Sequence, residues 1–371
     1  MQGVSGILDK SFGSYRLRST EPETLRFDSI PPRPLNPPAV GGRLQVVSYN
    51  VFNLFSTLDE GRPVCGPNGD FCRGADTPEE LEKQITKLVA AIIRLDADVL
   101  GLQELENHPQ SHPTLALLVD RLNQAGTERY AYLATGPVGL QTIKVGIIYK
   151  PDKVSPVGDF AVLTQALDPR FDEGLNRAAL AQTFQENTSG ERFTLVVNHF
   201  KSKNPPNNPA SADPRDLDQG DGQGAFNFTR REAAQALLDW LARDPTQSQD
   251  PDFLVVGDLN SYRHEDPIRV FLNRAYVNLV DRFSGASAYS FVFYGQEGTL
   301  DYALANPSLA TQVSRAAVWH INADEARALD YRNFNQDALY QPDPYRSADH
   351  DPVVVGLHLG QFTPLPSPSG H

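Results

Sequence analysis

Short apolar runs that end abruptly in polar residues recur along the chain. The clearest run begins at Phe253 and ends in Asp258 and Asn260, which flank Leu259. An apolar run of this length is typical of a buried strand, and a carboxylate at its end is typical of a binding or catalytic site. The same arrangement recurs over residues 44–50, 99–104 and 193–199. The pattern therefore predicts that four strand ends converge on one polar cluster.

The spacing of apolar residues between these strands predicts helices. Residues 77–80 combine a threonine N-cap, a proline in the first turn and two glutamates near the positive end of the helix dipole. Leu81, Ile85, Leu88 and Ile92 then fall on one face of that helix. Further helices are predicted over residues 114–122 and 230–241, and further strands over residues 145–149 and 178–184. This mixture predicts an α/β protein.

The two ends of the chain lack this pattern. Residues 31–38 are rich in proline, which does not pair inside a sheet, so they predict a stiff, extended linker. Residues 1–5 show no basic start followed by an apolar core, so no signal peptide is visible, and we expect that another segment precedes them in a longer protein. We predict an N-terminal extension and linker over residues 1–41, one domain over 42–360 and a disordered Pro/Ser tail over 361–371.

Charge and hydropathy narrow the class of substrate. The 371 residues carry a formal net charge of −13, which repels a polyanion at long range. A phosphodiester substrate would therefore need divalent cations that offset the carboxylates. No apolar run is long enough to cross a bilayer, and no apolar hairpin that would face a membrane is apparent. We expect a soluble monomer without a membrane partner.

The chain has two cysteines, Cys65 and Cys72, which enclose a loop of turn-forming residues. Cysteines this close can form a disulfide, which would indicate an oxidising compartment, although two free thiols in a loop are the alternative. A zinc site is disfavoured, because no second pair of soft ligands lies nearby.

A long segment over residues 204–226 is rich in Pro, Asn, Asp and Gly. A loop of this length inside a domain is usually functional or mobile, and its acidic residues do not match the spacing of an EF-hand. Next to it, Lys201, Lys203, Arg230 and Arg231 predict either a basic rim for a phosphate chain or a solvated charged face.

Eight polar residues lie at or near the predicted strand ends: Asn50, Glu104, His199, Asp258, Asn260, Asp301, Asp349 and His350. Oxygen donors predominate and no thiolate is among them, so the set favours magnesium, manganese or calcium. Two histidines beside such a metal can donate and accept protons near neutral pH. A serine hydrolase is disfavoured, because the sequence lacks a Gly-x-Ser-x-Gly elbow.

Six short motifs in this order resemble the endonuclease/exonuclease/phosphatase superfamily, which includes DNase I-like nucleases, sphingomyelinases and inositol polyphosphate 5-phosphatases. The resemblance spans roughly residues 42–360. The motifs are Ser48-Tyr49-Asn50, Leu102-Gln103-Glu104, Asn198-His199-Phe200, Gly257-Asp258-Leu259-Asn260, Leu300-Asp301-Tyr302 and the segment Ser347 to Pro352.

The resemblance implies a four-layer α/β sandwich, with two packed mixed sheets flanked by helices and a metal site at one edge. Glu104, with Asn50, Asp258 and Asp349, would hold Mg²⁺ or Mn²⁺, and Ca²⁺ is a further candidate. Each oxygen donor comes from a different segment of the chain.

The resemblance also implies catalytic roles. Asp258 and Asn260 would position and activate the attacking water. His350, oriented by Asp301, would act as a base or as a hydrogen-bond donor to the phosphate, and His199 would face the leaving oxygen.

Arg177, Asn198 and Lys201 are the residues we expect to contact the substrate, Arg177 because it matches a phosphate-contacting arginine of the family. One feature departs from the family pattern. DNase I-like members pair the histidine that corresponds to His199 with a carboxylate, but residues 139–144 contain none.

Within the superfamily, residues 72–77, residues 199–203 and the loop 204–226 resemble bacterial extracellular nucleases of the ExeM/NucH type. This resemblance implies a secreted or periplasmic nuclease that cuts DNA, or also RNA, with little sequence preference. The alternatives are a phosphodiesterase or phosphatase acting on lipid or inositol phosphates, and a binding module with an inactive site.

Overall fold

The computed structural model describes residues 5–11, 14–20, 33–110, 113–332 and 337–361. The chain forms two compact units, residues 1–35 and residues 36–371. In the first unit, strands β1 (Gly6–Ser11) and β2 (Ser14–Ser19) form an antiparallel hairpin. All other elements belong to the second unit.

The second unit alternates strands and helices along the chain. Its first half contains β3 (Leu44–Leu54), β4 (Pro63–Cys65), β5 (Asp70–Phe71), α1 (Pro78–Leu95), β6 (Val99–Glu106), α2 (Pro113–Ala125), β7 (Ala131–Tyr132), β8 (Ile143–Tyr149), β9 (Val154–Leu163), β10 (Arg177–Glu186) and β11 (Arg192–His199). Its second half contains α3 (Asn227–Leu241), β12 (Phe253–Asp258), α4 (Asp266–Asn273), β13 (Val277–Asn278), α5 (Leu279–Ser284), β14 (Phe291–Phe293), β15 (Gln296–Gly298), β16 (Asp301–Ala305), α6 (Pro307–Ala310), β17 (Val313–Val318) and β18 (Val353–Leu357).

Two six-stranded sheets form the centre of this unit. One has the strand order β13-β16-β12-β11-β10-β9, and the other has the order β17-β18-β3-β6-β8-β7. Both are mixed, since β11 runs parallel to β12 and β3 runs parallel to β6, whereas the other neighbours are antiparallel. The predicted fold class, two packed mixed sheets flanked by helices, is confirmed.

The sheets pack face to face, and the helices cover their outer faces. Gly101 of β6 makes the close approach possible, because a Cβ there would lie 2.7 Å from Val197 and 3.0 Å from Val256 on the facing sheet. Apolar residues of α1 and α2 pack with the outer face of one sheet, and those of α3 and α4 pack with the outer face of the other. The result is four layers.

Strand register brings the polar ends together at one edge. His199 at the end of β11 lies beside Asp258 at the end of β12, and Asp258 lies opposite Asp301 at the start of β16. In the other sheet, Asn50 of β3 lies beside Gln103, one residue before Glu104. Strands of both sheets thus supply the predicted polar cluster, with Asn50 and Glu104 a few residues before the ends of β3 and β6.

The predicted helices and strands are present, with ends that differ by a few residues. Helix α1 begins as predicted, and the Thr77 hydroxyl accepts a hydrogen bond from the Glu80 amide at 3.2 Å. Strands β9 and β17 were not predicted from the sequence; in β9 most positions are exposed or half-buried, so it lacks the apolar run of a buried strand. Most of the predicted tail, residues 362–371, lies outside the described residues.

A disulfide joins Cys65 of β4 to Cys72, which follows β5, and closes the small hairpin that these strands form (residues 63–72). Both cysteines are buried with Phe55 and Ile143. Within the described residues, no helix has the length and apolar character needed to cross a bilayer.

Removing this disulfide should destabilise the second unit. For a loop of this length, chain-entropy arguments give a loss of about 2 kcal/mol in the free energy of unfolding. Urea denaturation of a Cys65→Ala/Cys72→Ala variant, monitored by tryptophan fluorescence, measures the loss in the free energy of unfolding. A reducing agent should lower the urea midpoint of the wild type to about that of the variant. It should leave the urea midpoint of the variant unchanged. If the urea midpoint of the wild type is the same with and without the reducing agent, the expectation is contradicted.

Candidate active site

Asn50, Glu104, His199 and Asp258 contact one another where the two sheets meet. The Asn50 amide nitrogen lies 3.3 Å from Glu104 Oε1 and 3.4 Å from Asp258 Oδ2. His199 Nε2 lies 3.5 Å from Asp258 Oδ2 and 4.0 Å from Glu104 Oε1. Two strands from each sheet therefore meet in a single cluster, but only His199 and Asp258 end their strands. Asn50 and Glu104 lie within β3 and β6, beside irregularities in the register.

His350 and Asp301 complete the cluster from the other side. His350 Nδ1 donates to Asp301 Oδ2 at 2.7 Å, and its Nε2 lies 3.9 Å from Asp258 Oδ2. Ligand atoms of Asp258, Asp301 and His350 all lie within 4.8 Å of one another. Because Nδ1 is held by Asp301, Nε2 is the ring atom that faces the centre of the cluster.

Several residues of the cluster adopt left-handed backbone conformations. Glu104 has φ of 65° and Asn260 has φ of 48°, values that cost energy for residues other than glycine. Gly257 has φ of 131°, and a Cβ there would lie 1.9 Å from the Asn198 carbonyl oxygen. Such backbone strain is typical of functional sites, and here it directs the side chains at the strand ends toward one another.

Burial and like charges shift the titration of the acidic residues. Burial raises the pKa of Glu104, and the negative charge of Asp349 raises this pKa further. Burial also raises the pKa of Asp258 to about 7, even though His350 opposes the shift. Burial alone would lower the pKa of His350, but the carboxylates of Asp301 and Asp258 raise it well above its usual range. The cluster thus holds more negative charge than its own cations neutralise.

The donor set of this cluster fits a hard divalent cation. Asp258 supplies a buried carboxylate, and Glu104 supplies a carboxylate whose side chain is 16% exposed. Asp349 Oδ1 is a buried oxygen without a hydrogen-bond partner among the described residues. The Glu104 side chain is already oriented, since the Asn53 amide donates to its Oε2 at 2.9 Å. Buried oxygens that repel one another are the environment that Mg²⁺ or Mn²⁺ stabilises.

His199 departs from the family pattern in the way that the sequence indicates. Its Nδ1 is buried and has no hydrogen-bond partner among the described residues. Burial lowers the pKa of His199 well below its usual range, and the positive charge of Arg177 acts in the same direction. The Asp258 carboxylate favours a protonated ring, but its own raised pKa limits that effect. His199 is therefore a neutral imidazole whose ring no carboxylate orients through Nδ1.

The three predicted substrate-binding residues are placed differently from one another. Arg177 pairs in register with His199 and is buried, and its Nη1 donates to the Phe200 carbonyl at 3.0 Å. Its Nε has no hydrogen-bond partner in the described part of the chain. Asn198 is fully buried, and its amide donates to backbone carbonyls of Val196 and Val256. The amide nitrogen of Asn198 is thus committed to the two strands, whereas its buried Oδ1 accepts no hydrogen bond from the described residues.

Lys201 lies half-buried beside these strand ends. Its ammonium group binds Ser202 and lies 4.2 Å from the centre of the Phe226 ring. Burial lowers the pKa of Lys201 to about 8, and Arg177 adds to the effect.

The predicted basic rim is wrong for Arg230 and Lys203. Arg230 is fully buried, and its guanidinium donates to the carbonyls of Lys201, Gln223 and Ala225. Lys203 pairs with Glu265. These cations hold the loop 204–226 in place, because a buried guanidinium with five donors can satisfy several loop carbonyls at once.

Sequence reasoning missed the residues that hold the catalytic loop. Ser290 donates to Asp301 Oδ2 at 2.7 Å, and the Asn322 amide donates to the His350 carbonyl at 2.7 Å. Asp351 Oδ1 accepts the backbone amides of residues 321, 322 and 323. Asp351 lies in the motif Ser347 to Pro352 and could have been recognised, whereas Ser290 and Asn322 carry no local sequence signal.

The structure contains a hairpin with exposed aromatic residues that the sequence did not indicate. Strands β14 and β15 form an aromatic hairpin (residues 291–298), with Phe293 54% and Tyr294 86% exposed. Phe291 at its base stacks on His350, with ring centroids 4.6 Å apart. The hairpin therefore extends outward from the site.

A cleft of about 1280 Å³ has Arg177 and Lys201 in its wall. The loop 204–226 forms much of one wall through residues 204–216. Arg73, Arg170 and Arg215 line it as well. A cleft this large accommodates more than a single phosphate group.

The sequence matches a family profile described as Endonuclease/Exonuclease/phosphatase family over residues 47–350. No curated protein sequence matches the chain.

Among solved structures, a family protein from Bacteroides thetaiotaomicron is 17% identical and has a TM-score of 0.54, covering 84% of this chain and 96% of that one. A mannosyl-6-phosphatase of the same organism is 16% identical, with a TM-score of 0.51 and coverage of 85% and 99%. D. rerio TDP2 complexed with a single-strand DNA product is 14% identical, with a TM-score of 0.50 and coverage of 84% and 97%. At these identities the likeness concerns the fold.

Proposed function

Because the chain belongs to the endonuclease/exonuclease/phosphatase family, whose members are hydrolases that generally depend on divalent metals, we propose that it is a metal-dependent nuclease that hydrolyses phosphodiester bonds of DNA. RNA is a second substrate of the same chemistry. The observation that carries the proposal is the convergence of Glu104, Asp258 and the His350–Asp301 pair in one buried cluster.

In this proposal Asp258 binds the attacking water. Its Oδ1 accepts the Asn260 amide at 2.8 Å, which leaves Oδ2 to accept a proton from the water. The Asn260 side chain donates to the Phe200 carbonyl at 3.1 Å and so fixes the turn that follows β12. A carboxylate oriented in this way can act as a general base.

His350 and His199 flank Asp258 and bind the phosphate in this proposal. The hydrogen bond from Nδ1 to Asp301 leaves His350 Nε2 directed toward the phosphate. His199 Nε2 lies on the other side of Asp258 Oδ2 and faces the leaving oxygen. Donors placed where negative charge develops stabilise the transition state.

Glu104, Asn50, Asp258 and Asp349 are the residues proposed to hold Mg²⁺ or Mn²⁺, with Ca²⁺ as a further candidate. When bound there, the cation supplies Lewis-acid stabilisation of charge on a phosphate oxygen. Arg177, buried beside His199, adds a fixed positive charge.

DNA is the preferred substrate because the cleft beside Arg177 and Lys201 extends beyond one phosphate group. The likeness to TDP2 in complex with a single-strand DNA product supports this choice. The Cys65–Cys72 disulfide supports an extracellular or periplasmic location, and the motif over residues 72–77 supports a nuclease of the ExeM/NucH type. We propose that it acts as a monomer. Residues 1–41 are proposed to be an extension and linker, and residues 42–360 the nuclease domain.

Incubation with supercoiled plasmid tests the proposal. The full chain should nick and then degrade the plasmid in the presence of Mg²⁺ or Mn²⁺, and EDTA should abolish cleavage because the carboxylate cluster then lacks its cation. A catalytically inactive variant purified in the same way controls for contaminating nucleases. An intact plasmid under every divalent metal would reject the proposed function.

The aromatic hairpin (residues 291–298) favours a second candidate, a phosphodiesterase or phosphatase acting on lipid or inositol phosphates. Exposed Phe293 and Tyr294 rings beside the site could enter a lipid surface. The likeness to a mannosyl-6-phosphatase shows that the fold also serves phosphatases. Release of phosphocholine from vesicles or of phosphate from inositol phosphates, with plasmid left intact, would favour this candidate.

A further inference from the structure

Arg73 lies at the mouth of the cleft and has an exposed side chain. It directly follows Cys72 of the disulfide-closed hairpin. Within the part of the chain that the structure describes, its guanidinium makes no hydrogen bond or ion pair. An exposed cation without a protein partner is available to a ligand.

The backbone of Arg73 is held on both sides. The disulfide fixes Cys72, and Gly74 packs so closely that a Cβ there would lie 2.6 Å from Phe55 Cβ. The Arg73 carbonyl also accepts a hydrogen bond from Arg332 Nη2 at 3.3 Å. The base of the side chain is therefore fixed, and this fixation lowers the entropy cost of binding a ligand. The guanidinium itself stays free to contact that ligand.

Two other arginines of the cleft wall, Arg170 and Arg215, are committed to aspartates. Arg170 donates twice to Asp168, at 3.0 and 2.6 Å, and once to Asp239 at 2.8 Å. Arg215 is likewise paired with Asp213, and its guanidinium carbon lies 3.8 Å from the centre of the Phe228 ring. These pairs shape the wall and contribute little free positive charge.

Arg73 lies close enough to Arg177 and Lys201 to act on them electrostatically. These three cations thus concentrate positive charge in one part of the cleft wall, on a chain with a net charge of −13. Of the three, Arg177 also interacts electrostatically with Asp258. Phosphate groups of a polyanion are the ligands that such a local concentration recognises.

We propose that Arg73, held by the Cys65–Cys72 hairpin, binds a backbone phosphate of the nucleic acid that neighbours the phosphate being cut, and so positions the strand along the cleft. This role rests on the proposed nuclease function. Arg73 touches a flanking phosphate and takes no part in the bond-breaking step.

The salt dependence of plasmid cleavage by an Arg73→Ala variant tests this role. Losing one phosphate contact should raise KM and lower kcat/KM about tenfold at low salt, and should reduce the slope of log kcat/KM against log salt concentration by about 1. The ratio of activity on plasmid to activity on bis-para-nitrophenyl phosphate should fall, because the small diester has no flanking phosphate. Arg73→Lys should retain most of the slope because it keeps the charge.

Arg62→Ala is the matched control, since Arg62 precedes the same hairpin, is exposed, pairs with Glu60 and does not line the cleft. Its salt slope and KM should equal those of the wild type. If the wild type cuts plasmid and the Arg73→Ala variant has the same salt slope and the same KM, the role of Arg73 is overturned while the nuclease function stands. A wild type that cuts only the small diester would overturn the nuclease function and, with it, this role.

Discussion

An Asp258→Asn variant is expected to lose at least about 100-fold in kcat for plasmid cleavage. Asp258 Oδ2 is the central acceptor of the cluster, 3.4 to 3.9 Å from nitrogen atoms of Asn50, His199 and His350. An amide in its place keeps the size of the side chain but cannot accept a proton from water. Rates on plasmid at saturating Mg²⁺ measure the loss.

Stability distinguishes this loss from misfolding. Asp258 is buried near Glu104 and Asp301, and burial raises its pKa to about 7, so the native state does not favour its charge. Removing that charge should leave the thermal midpoint unchanged or raise it. The exposed residue Asp159 offers a matched Asp→Asn control without an effect on rate. If the Asp258→Asn variant cleaves plasmid at the wild-type rate, Asp258 takes no part in the reaction.

The His350–Asp301 pair provides the second large effect. His350→Ala should lower kcat by about 100-fold or more, because no other described side chain donates from the position of Nε2. Asp301→Asn should also lower kcat, since the amide cannot stabilise a charged ring through Nδ1.

A double-mutant cycle shows whether Asp301 acts through His350. The Asp301→Asn/His350→Ala variant should be no slower than His350→Ala alone, because the interaction is already lost. If the two losses multiply, Asp301 has an independent role, such as holding metal with Asp258, to which its ligand atoms lie within 4.8 Å.

Local pattern was sufficient to predict the strands that build the site, although Asn50 and Glu104 lie within β3 and β6 and not at their ends. Buried strands with a polar terminus appear in the sequence as apolar runs, so Asn50, Glu104, His199 and Asp258 could be recognised before their contacts were known. The fold class followed from the same alternation of strands and helices and from six motifs in a fixed order.

Long-range contacts were not predictable in this way. Ser290 and Asn322 hold Asp301 and the His350 loop from segments without a regular pattern, and only the folded chain brings them together. Arg230 looked like a surface cation because its burial depends on carbonyls of the loop 204–226. The aromatic hairpin was overlooked because each of its strands has only three residues, too short for a periodic signal.

The location of a bound cation tests the central claim most directly. A crystal of the full chain soaked with Mn²⁺ should show an anomalous difference peak about 2 Å from a Glu104 carboxylate oxygen, close to Asp258, and Glu104→Gln should abolish it. Peaks found only elsewhere on this acidic surface, with none between Glu104, Asp258 and His350, would contradict a cation-centred site at the meeting point of the two sheets.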